Sequence, residues 1–314
     1  MYNTNPRLEY YESNQAWKKV NNLLPKSLQM KKLPKESFWK WRGNAIHVEK
    51  YENPKASHRI FLHHGVGTNS RLLNLIFGEK MAHLGYEVLA IDNLGYGMTN
   101  CIQRDVTYDD WVDCFSDFVN EHSKDDKKVI LYGLSAGGML TYHAACKLTK
   151  VDGIIGMCFL DQRMSLIREE TAISKSMSKM SVPFLSTASK IGLKRLNLKM
   201  KQVSKMSALT NHPEALKIMM KDETSGGGKA QIQFLNSYSN YIPDIEPKNF
   251  EKCPILLTQP EKDRWTPLHH SKLSLRDLKS NFKIKVLPGA GHYPMEEEGI
   301  NELVSSSFQF IQSI

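Results

Sequence analysis

The sequence predicts an α/β protein: a mainly parallel sheet flanked by helices, with a helical segment inserted in its second half. Three observations lead there. Short apolar runs at 59–62, 86–91, 128–132 and 153–160 recur between helix-length segments, and strands covered on both faces read as unbroken apolar stretches. The strand–helix alternation is that of βαβ units. The rhythm stops near residue 162 and resumes near 250 with apolar runs at 254–258 and 283–287.

In chain order, residues 1–34 are a polar N-terminal extension with a helical candidate at 14–24 that Pro25 ends. The core is expected over 35–161 and 250–314. It opens with a hairpin, Phe38-Trp39-Lys40-Trp41 and Ala45-Ile46-His47-Val48 around a turn at Gly43-Asn44. Helices are expected at 72–84, at 108–122, after the 128–132 strand through about 148, at 268–278, and from about 299 onward. Residues 162–249 are expected to form a helical cap, with Gly226-Gly227-Gly228 as a hinge or turn inside it.

Composition narrows the class. Of 314 residues, 41% are hydrophobic and 24% charged, as in soluble globular proteins. No apolar run approaches the roughly 18 residues of a membrane-spanning helix, and the first residues lack a secretory pattern. Five scattered cysteines with no CxxC read as reduced thiols. A cytoplasmic protein is expected. The net charge of +9 is concentrated in 162–249, where 14 Lys and Arg face 7 Asp and Glu, and where 7 of the 14 methionines fall. No nucleic-acid motif accompanies the basic excess, so no nucleic-acid partner is expected.

The chemistry centres on Gly133-Leu134-Ser135-Ala136-Gly137, placed between an apolar strand and a helix. On a sharp strand-to-helix turn the serine hydroxyl is exposed, flanking glycines permit close chain approach, and the helix N-terminus lies beneath. Upstream, His63-His64-Gly65-Val66-Gly67 follows a strand, so the N–H groups of Val66 and Ala136 can form an oxyanion hole. The two histidines lack a third ligand at metal spacing. Downstream, Asp263 and His292 lie just past successive strands, the edge where parallel sheets place their sites. A histidine takes and returns the serine proton while a carboxylate fixes its tautomer. Asp161 and Glu261 stand as alternative acids. His269 and His270 open a helix and read as surface or capping residues. The 92–97 loop lacks a P-loop lysine and reads as a structural turn.

From Phe38 to the C-terminus the chain resembles the α/β-hydrolase superfamily, in particular its capped lipase-like branch of monoacylglycerol lipases and lysophospholipase-like hydrolases. The resemblance rests on His64-Gly65, Asp92-x-x-Gly95-x-Gly97-x-Thr99, the segment around Ser135, Asp263, and Gly289-x-x-His292. It implies Ser135 as nucleophile, Asp263 as acid, His292 as base, and Val66 and Ala136 as oxyanion donors. Pro260 departs from the glycine usual in the acid loop.

The expected activity is cleavage of an acyl ester, such as a monoacylglycerol or lysophospholipid, with no cofactor or metal. The same three residues could act on a thioester, amide, lactone or C–C bond, and a non-catalytic binding or membrane-association module is the reading from another class. In 190–206, Leu193, Leu196, Met200 and Val203 project on one helical face and Lys190, Lys194, Lys201 and Lys205 on the other. Such a helix packs its apolar side on the site, or contacts a membrane surface peripherally. Fold alone does not fix the substrate.

Overall fold

The computed structural model describes residues 8–174, 185–188 and 191–314. Strands β1 (Lys35–Trp41) and β2 (Asn44–Tyr51) form the antiparallel hairpin. Its turn is Arg42-Gly43, at φ 45° and 83°, one residue earlier than the sequence suggests. Two positive φ values match the twist a two-residue hairpin needs, and glycine adopts the second without strain.

Then come β3 (His58–His63), β4 (Glu87–Ile91), β5 (Lys128–Leu134) and β6 (Gly153–Met157). A small second sheet pairs β7 (Asn197–Lys199) with β8 (Lys229–Gln231), antiparallel. Strands β9 (Ile255–Pro260) and β10 (Phe282–Leu287) complete an eight-stranded sheet of order β1-β2-β4-β3-β5-β6-β9-β10. It is parallel from β4 to β10. Every residue of β4 and β6 is buried, which is why these strands read as continuous apolar runs. The edge strand β10 exposes Lys283 and Lys285, charges that blunt pairing with another chain.

The predicted 72–84 helix is a helix with an interruption: Ser70–Leu73, a π turn at Asn74–Gly78, then Glu79–His83. The Asn74 side chain donates to Glu49 Oε2 at 2.6 Å. Its amide oxygen occupies the space that a Cβ on residue 78 would need, 1.9 Å away, so any larger residue there would displace the Asn74 side chain. The helix Tyr108–Glu121 starts at a capping box, with Thr107 accepting from Asp110 N and Asp110 accepting from Thr107 N.

Residues 8–34 fold across the molecule. Tyr11 is fully buried, and its hydroxyl donates to Asp92 Oδ2 at 2.9 Å. Trp17, on the helix Ala16–Leu23, donates from its indole to Tyr11 O, and the Arg71 guanidinium lies 4.4 Å from the Trp17 ring. Asn14 donates to Thr224 Oγ1 at 3.0 Å. The extension thus touches both the sheet-bearing part of the chain and the excursion between β6 and β9.

One expected element does not form. Instead of a continuous helix, residues 191–206 comprise a 3₁₀ turn at Leu193–Arg195, strand β7, and a single helical turn at Met200–Val203; Lys190 lies outside the described residues. Gly192 at φ 90° breaks the helix, and pairing of β7 with β8 withdraws 197–199 from it. Leu193 and Leu196 are exposed while Met200 is buried, so the expected apolar face does not exist. Among the described residues, no helix is long and apolar enough to cross a membrane.

Candidate active site

Ser135 sits between β5 and the helix Ala136–Lys147 at φ 61°, ψ −127°. A non-glycine residue there stores backbone strain that its surroundings must hold. They do so by close packing. A Cβ on Gly133 would lie 2.1 Å from Gly137 O, one on Gly137 2.3 Å from His63 O, and one on Gly138 2.0 Å from Cys158 O. The Ser135 N–H donates to Met157 O at 2.9 Å. The glycines of the motif therefore let four backbone segments converge under the serine.

Gly65 joins the same contact. A Cβ on it would stand 2.7 Å from Leu134 O and 2.9 Å from both Ala136 N and Ser135 Cβ. The loop after β3, with Val66 next in line, is thus pressed onto the turn that carries Ser135 and Ala136. His64 holds this loop from behind: its Nδ1 lies 2.8 Å from Gly65 O, and its Nε2 accepts from Asn93 N at 2.9 Å. Burial pushes the His64 imidazole below its usual range, so a neutral ring that donates at Nδ1 and accepts at Nε2 fits both contacts.

Asp263 and His292 meet across the ends of β9 and β10, His292 Nδ1 to Asp263 Oδ2 at 2.8 Å. Asp263 Oδ1 accepts from the N–H groups of Trp265 and Thr266, each at 2.8 Å, and Oδ2 accepts from the Thr266 hydroxyl at 2.7 Å. Burial alone would raise this carboxyl. The neighbouring His292 and the Thr266 donors outweigh it and hold the group down to about 2. His292 Nε2 is buried and has no hydrogen-bond partner among the described residues. A base whose Nδ1 is anchored and whose Nε2 is free is equipped to take a proton from a neighbouring hydroxyl.

The two other candidate carboxylates are occupied elsewhere. Asp161 pairs with Arg163 at 2.7 Å, and Arg163 also pairs with Glu246. Glu261 Oε2 accepts from Gly289 N at 2.7 Å, on the loop that leads to His292. Residues 92–98 are a turn closed around Asp92, which accepts from Ser70 N and Met98 N; a Cβ on Gly97 would lie 2.0 Å from the Asp92 carboxyl carbon.

Sequence reasoning missed Thr266 and Trp265. The Trp265 ring lies 4.8 Å from that of His292, and its indole donates to Thr171 O in the excursion between β6 and β9. The spacing Asp263-x-x-Thr266 was the available signal, since an aspartate readily accepts from backbone two and three residues on. Also unforeseen is the roof: a Cβ on Gly67 would meet Met206 Cε at 2.7 Å and Leu209 Cδ1 at 3.4 Å. His269 is exposed, as expected of a surface group, whereas His270 is not. His270 is fully buried, and both rings contact Glu170.

The family model described as serine aminopeptidase, S33, matches residues 54–299. The chain belongs to this family of serine hydrolases. A comparison with curated proteins finds no match. Solved structures with this fold include a soluble variant of monoglyceride lipase from Saccharomyces cerevisiae in complex with a substrate analog, 16% identical, TM-score 0.74, covering 92% of this chain and 98% of that one. A carboxyl esterase from Bacillus coagulans in complex with glycerol is 17% identical, TM-score 0.68, covering 90% and 99%. A monoacylglycerol lipase from Paleococcus ferrophilus is 19% identical, TM-score 0.63, covering 85% and 98%. At such identities the likeness is one of fold: the S33 chain has the α/β-hydrolase architecture.

Proposed function

We propose that this S33-family hydrolase cleaves carboxylic esters through an acyl-enzyme on Ser135. Ser135 Oγ attacks the ester carbonyl while His292 Nε2 takes its proton, and Asp263 holds the resulting imidazolium. The N–H groups of Val66 and Ala136 receive the oxyanion. The proton passes to the departing alcohol oxygen. A water deprotonated by His292 then releases the acid and restores Ser135.

The observation that carries this reading is the strained turn at Ser135 together with a histidine anchored by Asp263 whose buried Nε2 has no partner among the described residues. The apolar roof of Met206 and Leu209 over the Gly65–Gly67 loop favours a medium or long acyl chain, as in a monoacylglycerol or lysophospholipid. The excursion 162–249 serves as the cap. Its exposed Ile191, Leu193 and Leu196 suit peripheral contact with a membrane, although Arg195 is engaged by Asp105 at 2.6 Å. Five free cysteines fit a cytoplasmic location.

The test is hydrolysis of p-nitrophenyl esters of graded chain length. Ser135→Ala should abolish turnover and fluorophosphonate labelling while the thermal unfolding midpoint stays near wild type; retained turnover would overturn the assignment. The family's description favours one second reading, the same three residues acting on an amide at a peptide N-terminus. Faster turnover of aminoacyl p-nitroanilides than of the esters would select it.

A further inference from the structure

Glu170, His269 and His270 stand apart from the chemistry above. Glu170 lies on the helix Ser165–Thr171, which opens the excursion after β6; the histidines lie in the first turn of the helix Leu268–Ser274, just past the loop of Asp263 and Thr266. Both Nε2 atoms converge on a single oxygen, Glu170 Oε2, at 2.7 Å from His269 and 2.8 Å from His270. The rings are edge-on, with centroids 4.4 Å apart and planes at 72°. The three donor atoms lie within 4.8 Å of one another.

Two imidazole nitrogens and a carboxylate oxygen, all metal-ligating atoms, thus already face a common point. We propose that Glu170, His269 and His270 form a binding site for a divalent metal ion of the zinc class. Two imidazoles and a carboxylate are ligands that zinc accepts, at about 2.0–2.2 Å in a tetrahedron. Ligand atoms around such an ion lie about 3.3 Å apart, so the cluster opens by roughly half an ångström to admit it. Water fills the fourth position. Two nitrogen ligands select against magnesium and calcium, which prefer oxygen. Because His270 Nδ1 has no acceptor among the described residues to strengthen the ring as a ligand, the affinity is on the order of micromolar, weaker than in structural zinc sites. The ion would pin the first helix of the excursion to the segment that carries the Asp263 loop, where Trp265 already bonds Thr171.

The experiment uses full-length protein stripped of metal and titrated with Co²⁺, followed by displacement with Zn²⁺. Wild type should bind one equivalent, show the visible absorption of four-coordinate cobalt, and unfold at a higher temperature with Zn²⁺ than without. Glu170→Gln and His269→Ala, both at partly exposed positions and checked for native circular dichroism, should each weaken binding about tenfold or more. His292→Ala should bind as wild type. The proposal is overturned if wild type takes up no stoichiometric ion, if both variants bind like wild type, or if loss of His292 removes the binding.

Discussion

Gly65→Ala isolates the contact between the donor loop and the serine turn. The new methyl would sit 2.7 Å from Leu134 O and 2.9 Å from Ala136 N and Ser135 Cβ. All three belong to a turn already fixed by the contacts of Gly133, Gly137 and Gly138, so the turn cannot yield. The loop must retreat by roughly half an ångström or more to reach normal contact distance. Val66 N–H, the proposed oxyanion donor, moves with it, and loss of one such donor costs about 10²–10³ in kcat. Overpacking of this kind also costs about 1–3 kcal/mol of stability. The assay is kcat and KM for p-nitrophenyl butyrate, with unfolding in urea as the stability check. The expected result is a kcat lower by roughly a hundredfold with KM little changed in a folded protein. Gly85→Ala is the control: its φ of 93° strains an alanine but nothing among the described residues lies within 4 Å of the added atom, so stability falls and kcat does not. The reasoning is refuted if kcat of Gly65→Ala stays within about threefold of wild type, under ~0.7 kcal/mol of barrier.

Three further outcomes are expected. Thr266→Val removes a hydroxyl bonded to the Asp263 carboxylate and should cost about 1–3 kcal/mol at pH 7. Because the folded Asp263 is depressed to about 2, its stabilisation holds above the ordinary aspartate range and fades as pH falls toward 2, so the gap to wild type in urea unfolding should narrow in acid. His47 behaves oppositely: burial lowers it, but Asp92 and Glu36 outweigh burial and raise it to about 9. Its contribution is complete below its ordinary 6.5 and lost as pH rises through 9; wild type should lose on the order of 3 kcal/mol across that window, and His47→Gln should show no such decline. Tyr11→Phe removes one donor from buried Asp92, which keeps Ser70 N and Met98 N, and should cost about 1–2 kcal/mol by urea unfolding with activity unchanged.

The sheet was legible wherever burial on both faces wrote itself as apolar runs, as in β4, β5 and β6. The serine turn was legible because its geometry demands small residues at fixed spacing. What could not be read were pairings between distant segments. Nothing near Tyr11 in the sequence announces Asp92, and nothing in 191–206 announces that β7 will pair with β8 rather than continue as helix. Buried His270 looked like a surface group because helical position alone does not reveal Glu170, 100 residues earlier. Among the carboxylates, sequence left Asp161, Glu261 and Asp263 open; in the structure Asp263 contacts His292 while Asp161 pairs with Arg163.

The stretch from Met206 to Asn211 bears on how such enzymes can be recombined. Met206 rests on Gly67, Leu209 O accepts from Tyr293 N at 2.7 Å, and Asn211 bonds both Lys262 O and Arg264. These few residues fasten the loops of Val66, Asp263 and His292 to one another. A chimera that replaced the whole of 162–249 with the corresponding segment of a relative would therefore remove part of the framework along with the rest of the excursion. The exchangeable unit is shorter than the excursion, and a graft that leaves 206–211 in place keeps these contacts.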